Sequence, residues 1–251
     1  MPRQARKESE IGTYHIMLRG INKQSIFGDN TDRQRFINTL KVYKEKSEYE
    51  LYAYCLMSNH IHLLLKEGTE PISLIIKRIS SSYVYWYNQK YERCGHLFQE
   101  RYKSEPVNDE NYFLTVLRYI HQNPVMAGII SDVSNYEWSS YYDYIVKENI
   151  VDTIDVLKMF SEEKNQAVQL FKEHCMEYGE DNFLEQKQVR ITDDELHKLI
   201  LGKYNLEIGT LHLLGRQQKN EILRELRKLK GVSIRQIVRL TGISKFFVEK
   251  A

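Results

Sequence analysis

The sequence predicts an α+β protein: a small antiparallel sheet with helices packed on it, ending near Tyr144, followed by a helical C-terminal region. Two observations predict the first part. Short apolar segments with strand periodicity interleave with longer ones at helical spacing, and their order reads β-α-β-β-α-(β)-α. A third concerns the tail, where two short helical stretches flank a glycine turn.

The first strand spans Gly12 to Leu18, with Tyr14, Ile16 and Leu18 on one face. Gly20 and Asn22 then mark a loop. Asp32 to Lys46 reads as a helix capped by Thr31 or Asn30, burying Phe36, Leu40 and Tyr43. Leu51 to Leu56 forms a second strand. Ser58-Asn59 makes a tight connection to a third, His60 to Lys66. Ile72 to Tyr91 is a long helix, with Ile75, Ile79, Tyr83 and Trp86 at helical spacing. Residues 92–108 read as loop and short strand around Gly95-His96-Leu97-Phe98. The next helix is capped by Asn108 or Asp109 and buries Phe113, Val116, Leu117 and Ile120. Pro124 disfavours helical geometry at Asn123 and is expected to end it there.

Charge divides the chain into three. Residues 1–145 are nearly neutral, with 18 Lys/Arg against 17 Asp/Glu; residues 146–210 carry 8 against 14, and residues 211–251 carry 10 against 3. We therefore read 1–145 as a folded domain, 146–210 as an acidic helical connector, and 211–251 as a basic helical region suited to nucleic acid. Within that region, Ser233 to Leu240 and Ser244 to Ala251 are separated by Thr241-Gly242-Ile243, a helix-turn-helix spacing with Ser244 as N-cap. Ile237, Val238, Ile243 and Val248 face inward, and Lys245 and Lys250 fall on the second helix, where they suit DNA. A lysine-rich solvated helix reads the same way.

Cys55, Cys94 and Cys175 are odd in number and far apart, which argues against a disulfide framework and a cysteine zinc site and fits a reducing cytoplasm. The chain opens on a short basic arm, Met1 to Lys7, with no apolar core behind it. No apolar run approaches the ~20 residues of a membrane span.

The densest chemistry lies in Met57-Ser58-Asn59-His60-Ile61-His62-Leu63. Alternate strand residues share a face, so His60 and His62 project together, about 6–7 Å apart, and can close on one divalent metal. They read equally as polar residues on a half-solvated strand. Tyr119 and Asn123 lie four apart on the later helix, one turn above the other, with His121 on the opposite flank. An amide oxygen of Asn123 could complete a metal site that Tyr119 faces. A positioned phenolate can attack phosphorus and form a covalent ester. Taken alone, Tyr119 reads more simply as a packing residue.

Five blocks in order resemble the single-tyrosine HUH transposases, and within them the REP-associated tyrosine transposases. They are Tyr14-His15-Ile16-Met17-Leu18-Arg19-Gly20, Leu56 to Leu64, Phe98-Gln99-Glu100-Arg101-Tyr102-Lys103, Tyr119-Ile120-His121-Gln122-Asn123-Pro124-Val125 with Ala127-Gly128, and Trp138-Ser139-Ser140-Tyr141. The resemblance covers about residues 10–145 and implies a ferredoxin-like HUH domain that cuts and joins single-stranded or hairpin-bearing DNA, working in the bacterial cytoplasm and at the nucleoid. By it, His60 and His62 are metal ligands for Mg²⁺ or Mn²⁺. Tyr119 is the nucleophile that forms a 5′-phosphotyrosine, and Asn123 is a third polar ligand where related enzymes often use glutamine. The tail resembles, more loosely, the helix-turn-helix modules of bacterial replication initiators. Monomer and homodimer both remain open.

Rival readings remain. Tyr83 or Tyr87, in Ser80-Ser81-Ser82-Tyr83-Val84-Tyr85-Trp86-Tyr87, is an alternative nucleophile or part of a packed helix lining a DNA path. Arg93, His96, Arg101 and Lys103 suit phosphate contacts or are plain surface charge. A DNA- or RNA-binding regulator without chemistry, or a phosphohydrolase using water, would share much of this sequence.

Overall fold

The computed structural model describes residues 6–146, 149–177, 192–229 and 232–250. Most of the basic arm, Met1 to Ala5, and residues 178–191 of the acidic stretch lie outside them. The chain divides into two compact units, Met1–Leu184 and Glu185–Ala251.

The first unit opens with β1 (Thr13–Arg19), α1 (Asn30–Ser47), β2 (Glu50–Leu56), β3 (His60–Lys66), α2 (Ile72–Lys90) and β4 (Lys103–Pro106). This is the ferredoxin-like order. The four strands form one antiparallel sheet in the order β2-β3-β1-β4. One face carries Ile16 and Leu18 of β1 with Ile61 and Leu63 of β3, which are buried in one core with Phe36 and Leu40 of α1 and Ile75 and Ile79 of α2.

Asp29, not Thr31 or Asn30, caps α1. Its carboxylate accepts from the Asp32 backbone N–H at 3.1 Å, and the Asp32 carboxylate accepts from Asp29 N–H at 3.3 Å. This reciprocal pair satisfies two end-of-helix donors, which neither neighbour manages. Lys90, at the end of α2, pairs with both carboxylates and so ties the two helices together.

α3 (Glu110–Met126) begins at the cap Asp109 but runs through Pro124 rather than ending at Asn123. The proline removes one N–H donor near the end of the helix. The turn closes beyond it through Ala127 N–H to Asn123 O (3.0 Å) and Ile129 N–H to Pro124 O (3.0 Å).

The acidic stretch is not a single connector. After α4 (Tyr141–Ile145), the helices α5 (Ile154–Lys158) and α6 (Lys164–Met176) belong to the first core. Phe171 of α6 stacks on Tyr144 at 4.3 Å, and the His174 ring bonds the Leu114 carbonyl of α3 at 2.9 Å. Negative charge marked the solvated faces of these helices, whereas their domain membership depends on the buried ones.

The second unit holds α7 (Asp193–Tyr204), a 3-10 turn at Ile208–Leu213, α8 (Arg216–Lys228), α9 (Ile234–Thr241) and α10 (Lys245–Lys250) around Leu196, Leu211, Leu223, Ile237 and Val248. Ser233 caps α9, and Gly242 ends it at φ 68°, the left-handed conformation that glycine adopts without strain. α7 and its core residues therefore belong with the tail.

Phe171→Ala should destabilise the first unit by about 3–5 kcal/mol, the usual result of emptying a buried aromatic site. Denaturant unfolding followed by far-UV circular dichroism measures it. A loss below ~1 kcal/mol would show that α6 is an appendage rather than part of the core.

Candidate active site

The site grows from the second face of the sheet. In the β1–β3 ladder Met17 stands opposite His62, Arg19 opposite His60 and His15 opposite Leu64. Directly opposed residues share a face, so His15, Arg19, His60 and His62 all lie on this side. The chain turns immediately after Arg19, where a Cβ on Gly20 would meet the Gln24 carbonyl oxygen at 2.3 Å.

The two histidines of β3 have ring centroids 5.0 Å apart at 88°. α3 lies across them. Its apolar stripe of Phe113, Val116, Leu117 and Ile120 is buried, and one flank turns Tyr119 and Asn123 to the histidines. The Tyr119 ring stands edge-on to His62 at 5.5 Å and to His15 at 5.8 Å. Asn123 Oδ1 lies 3.2 Å from His60 Nε2, and the Asn59 side-chain oxygen lies 2.6 Å from His60 Nδ1. Residues 60, 62, 119 and 123, three elements apart in sequence, thus converge. Tyr119 is only 4 % exposed.

His15 was not among the residues expected here. It is wholly buried, and its Nε2 lies 2.9 Å from His62 Nδ1. The alternation that placed Tyr14, Ile16 and Leu18 on one face already sent His15 to the other. Only the register of β1 against β3 reveals which histidine it meets. Burial pushes the His15 imidazole down to about 3 and holds His62 well below the ordinary value, with the charges of His15, His60 and Arg19 acting in the same direction on His62. Both rings are therefore neutral near pH 7, the state in which an imidazole can bind a cation.

His62 Nε2 is buried with no hydrogen-bond partner among the described residues, and Asn123 Oδ1 reaches the neighbouring His60. Two imidazole nitrogens and one amide oxygen fit a divalent cation that fills its other positions with water or phosphate oxygens. No group of three His, Cys, Asp or Glu among the described residues offers a denser site.

His121, on the opposite flank, is structural. It lies 2.9 Å from Ser140 Oγ and 3.8 Å from Cys175 Sγ, wholly buried. Tyr83 is also a core residue: its hydroxyl donates to the Ile26 carbonyl at 2.7 Å, and its ring packs edge-on against Phe36 at 5.1 Å. Tyr87 packs on Tyr91 at 4.6 Å.

The expected basic residues separate into two places. Arg101 and Lys103 line a groove of about 900 Å³ beside β4, together with Arg6, Lys7 and Tyr102. The Arg6 guanidinium sits 3.7 Å over the Tyr102 ring. Arg93 and His96 fall in the loop before it, Arg93 donating to Gln24 Oε1 at 3.4 Å and His96 exposed. In the second unit Lys245 pairs with Glu249 at 3.4 Å, and Lys250 Nζ lies 4.7 Å from the Phe246 ring centre.

Residues 9–123, a little under half of the chain, match the family model of the IS200-like transposases. The chain's fold is that of a REP-associated tyrosine transposase. A REP-associated tyrosine transposase of Haemophilus influenzae is 26% identical over 123 residues, 43% of this chain and 69% of the relative. A solved REP-associated tyrosine transposase bound to a REP hairpin superposes with a TM-score of 0.51 at 19% identity, covering 59% of this chain and 87% of the other, and shares the fold. A transposase structure from Deinococcus radiodurans matches with a TM-score of 0.35 at 17% identity, over 48% of this chain and 97% of the other.

The buried histidines make the first unit acid-sensitive. His15 and His121 are held near 3 when folded but take up a proton near 6.5 when unfolded. The unfolded state then binds more protons between those values, so stability is complete above about pH 6.5 and falls as pH drops toward 3. Denaturant midpoints across that range should decline, and more shallowly in His121→Gln. A midpoint flat from pH 7 to 4 would contradict the burial of neutral imidazoles.

Proposed function

We propose that the first unit cuts and rejoins single-stranded, hairpin-bearing DNA through a covalent 5′-phosphotyrosine on Tyr119, as one step of DNA transposition. The observation that carries this reading is the convergence of Tyr119 and Asn123 from α3 on His60 and His62 from β3. His60, His62 and Asn123 would hold Mg²⁺ or Mn²⁺. When bound, such a cation polarises a phosphate and offsets the charge that develops on its oxygens.

The chain's own residues do the rest. Tyr119 loses its phenolic proton, and its oxygen forms a bond to phosphorus as the bond from phosphorus to the 3′ oxygen breaks. The departing strand takes up a proton as a free 3′-hydroxyl. The phosphodiester energy is kept in the tyrosine ester, so the same hydroxyl or another can attack it and reseal the strand without a nucleotide cofactor. Arg101 and Lys103 would neutralise backbone phosphates along the groove beside β4, with Arg93 and His96 adding contacts from the loop before it. Tyr102 lines the same groove, with the Arg6 guanidinium over its ring. The basic second unit, with Lys245 and Lys250 on α10, would hold the duplex part of a hairpin. No helix among the described residues is long and apolar enough to cross a membrane, and we place the protein in the cytoplasm, at the nucleoid when on DNA.

The enclosure of Tyr119 favours one other reading, a DNA- or RNA-binding regulator without chemistry. Incubation with a single-stranded hairpin and Mn²⁺, followed by denaturing electrophoresis, separates the two. The wild type should yield a protein–DNA adduct. Tyr119→Phe should abolish both adduct and cleavage while keeping hairpin affinity within about two-fold, since one hydroxyl is lost at unchanged shape. His60→Ala and His62→Ala should each stop cleavage. A wild type that binds but never cuts supports the regulator, and cutting that survives Tyr119→Phe points to attack by water.

The second unit carries its own prediction. Since Leu196 and Ile200 share its core with the tail, removal must begin at Glu185 rather than at residue 211. The truncated protein should bind the hairpin more weakly, and its affinity should fall less steeply with salt, as fewer counterions are released. Unchanged affinity and salt slope would assign this unit to another role.

A further inference from the structure

The cleavage chemistry leaves His15 without a task, although it touches the centre of the site. The ring comes from β1, is wholly buried and lies 5.1 Å from the His62 ring at an interplanar angle of 31°. Its Nε2 faces His62 Nδ1 at 2.9 Å.

A hydrogen bond between two neutral imidazoles needs one N–H and one lone pair, so two arrangements exist. In one, His15 donates from Nε2, and the His62 proton then sits on Nε2. That leaves an N–H in a buried position where His62 Nε2 has no hydrogen-bond partner among the described residues. In the other, His62 donates from Nδ1 to His15, and its Nε2 presents a bare lone pair. With Nδ1 occupied by His15, Nε2 is the nitrogen left for an outside ligand, and only the second arrangement lets it bind a cation.

The structure assigns His15 the role of a positioning residue, one that accepts the Nδ1 proton of His62 and thereby fixes both the tautomer and the orientation in which His62 offers Nε2 to a divalent cation. The assignment rests on the metal-dependent reading of the site. Ligand imidazoles are commonly held in this way by an acceptor on the far nitrogen. Here the acceptor is a second imidazole, which must carry its own proton on Nδ1. Glu105 of β4 stands directly opposite His15 in the ladder with Oε2 buried, and that oxygen and His15 Nδ1 are not hydrogen-bonded to each other. His62, His15 and Glu105 thus succeed one another on β3, β1 and β4, on one face of the sheet.

The test uses the full chain with ring-¹⁵N-labelled histidine. Long-range ¹H–¹⁵N correlation spectra of the metal-free wild type at pH 7.5 should show His62 protonated on Nδ1 and unprotonated on Nε2. In His15→Phe the acceptor is gone, and Mn²⁺ affinity, read from free Mn²⁺ by electron paramagnetic resonance, should fall by about 10- to 100-fold. His15→Gln places an acceptor oxygen where Nε2 was and should recover most of that loss. Hairpin affinity without metal should not change in either variant.

A wild-type His62 protonated on Nε2 overturns the assignment, and this spectrum decides the matter even if His15→Phe fails to fold. A folded His15→Phe with wild-type Mn²⁺ affinity, in a protein whose wild type binds Mn²⁺ and forms the DNA adduct, overturns the role of His15 alone. A wild type that binds no Mn²⁺ and forms no adduct overturns the metal-dependent reading and this role with it.

Discussion

The antiparallel register between β1 and β3 is the constraint on which the site depends. With Met17 opposite His62, the polar residues His15, Arg19, His60 and His62 share one face, and Ile16, Leu18, Ile61 and Leu63 share the other. A slip of one residue would exchange the faces of one strand and drive its histidines into the packing of α1 and α2. Burying an imidazole or an amide without a partner costs about 1–3 kcal/mol, so the polar face is tolerable only because its members bond one another. His15 bonds His62, His60 bonds Asn59 and Asn123, and Tyr119 closes over the pair. The same arrangement leaves His62 Nε2 without a hydrogen-bond partner among the described residues and brings a phenol beside neutral imidazoles.

The rest of the first unit serves to hold α3 against that face. The Asp109 cap starts the helix, the Tyr52 ring packs edge-on to Phe113 at 5.1 Å, and α6 clamps the far flank through His121, Cys175 and Phe171. Pro124 falls one residue after Asn123, and the helix continues past it to a C-cap at Ala127, so the Asn123 amide sits on a fully formed turn. The acidic residues of α5 and α6 stay in solvent. This explains why a stretch that looks like a connector by charge contributes buried residues such as Val156 and Phe171 to the core.

Much of this was legible in the sequence because it rests on periodicity. The alternation of His60-Ile61-His62 showed that the two imidazoles share a face, and the four-residue spacing of Tyr119 and Asn123 showed that they share a flank. The element order came from the same periodicity, and the five motif blocks pointed to the ferredoxin-like fold and to the family they resemble. Features that depend on tertiary pairing were not legible. The place of His15 comes from cross-strand register, the continuation of α3 past Pro124 from bonds made beyond it, and the cap at Asp29 from a reciprocal contact with Asp32. The unit boundary was misplaced for the same reason, since Leu196 and Ile200 declare their partners only once α8, α9 and α10 are folded.

The central claim is that Tyr119, and no other of the eighteen tyrosines, faces the histidine pair as the attacking group. Tryptic digestion of the DNA adduct followed by tandem mass spectrometry tests it most directly. A nucleotide remnant should be attached to the peptide that contains Tyr119. A remnant on Tyr83, Tyr87 or any other residue would contradict the claim, even in a protein that cuts and joins DNA.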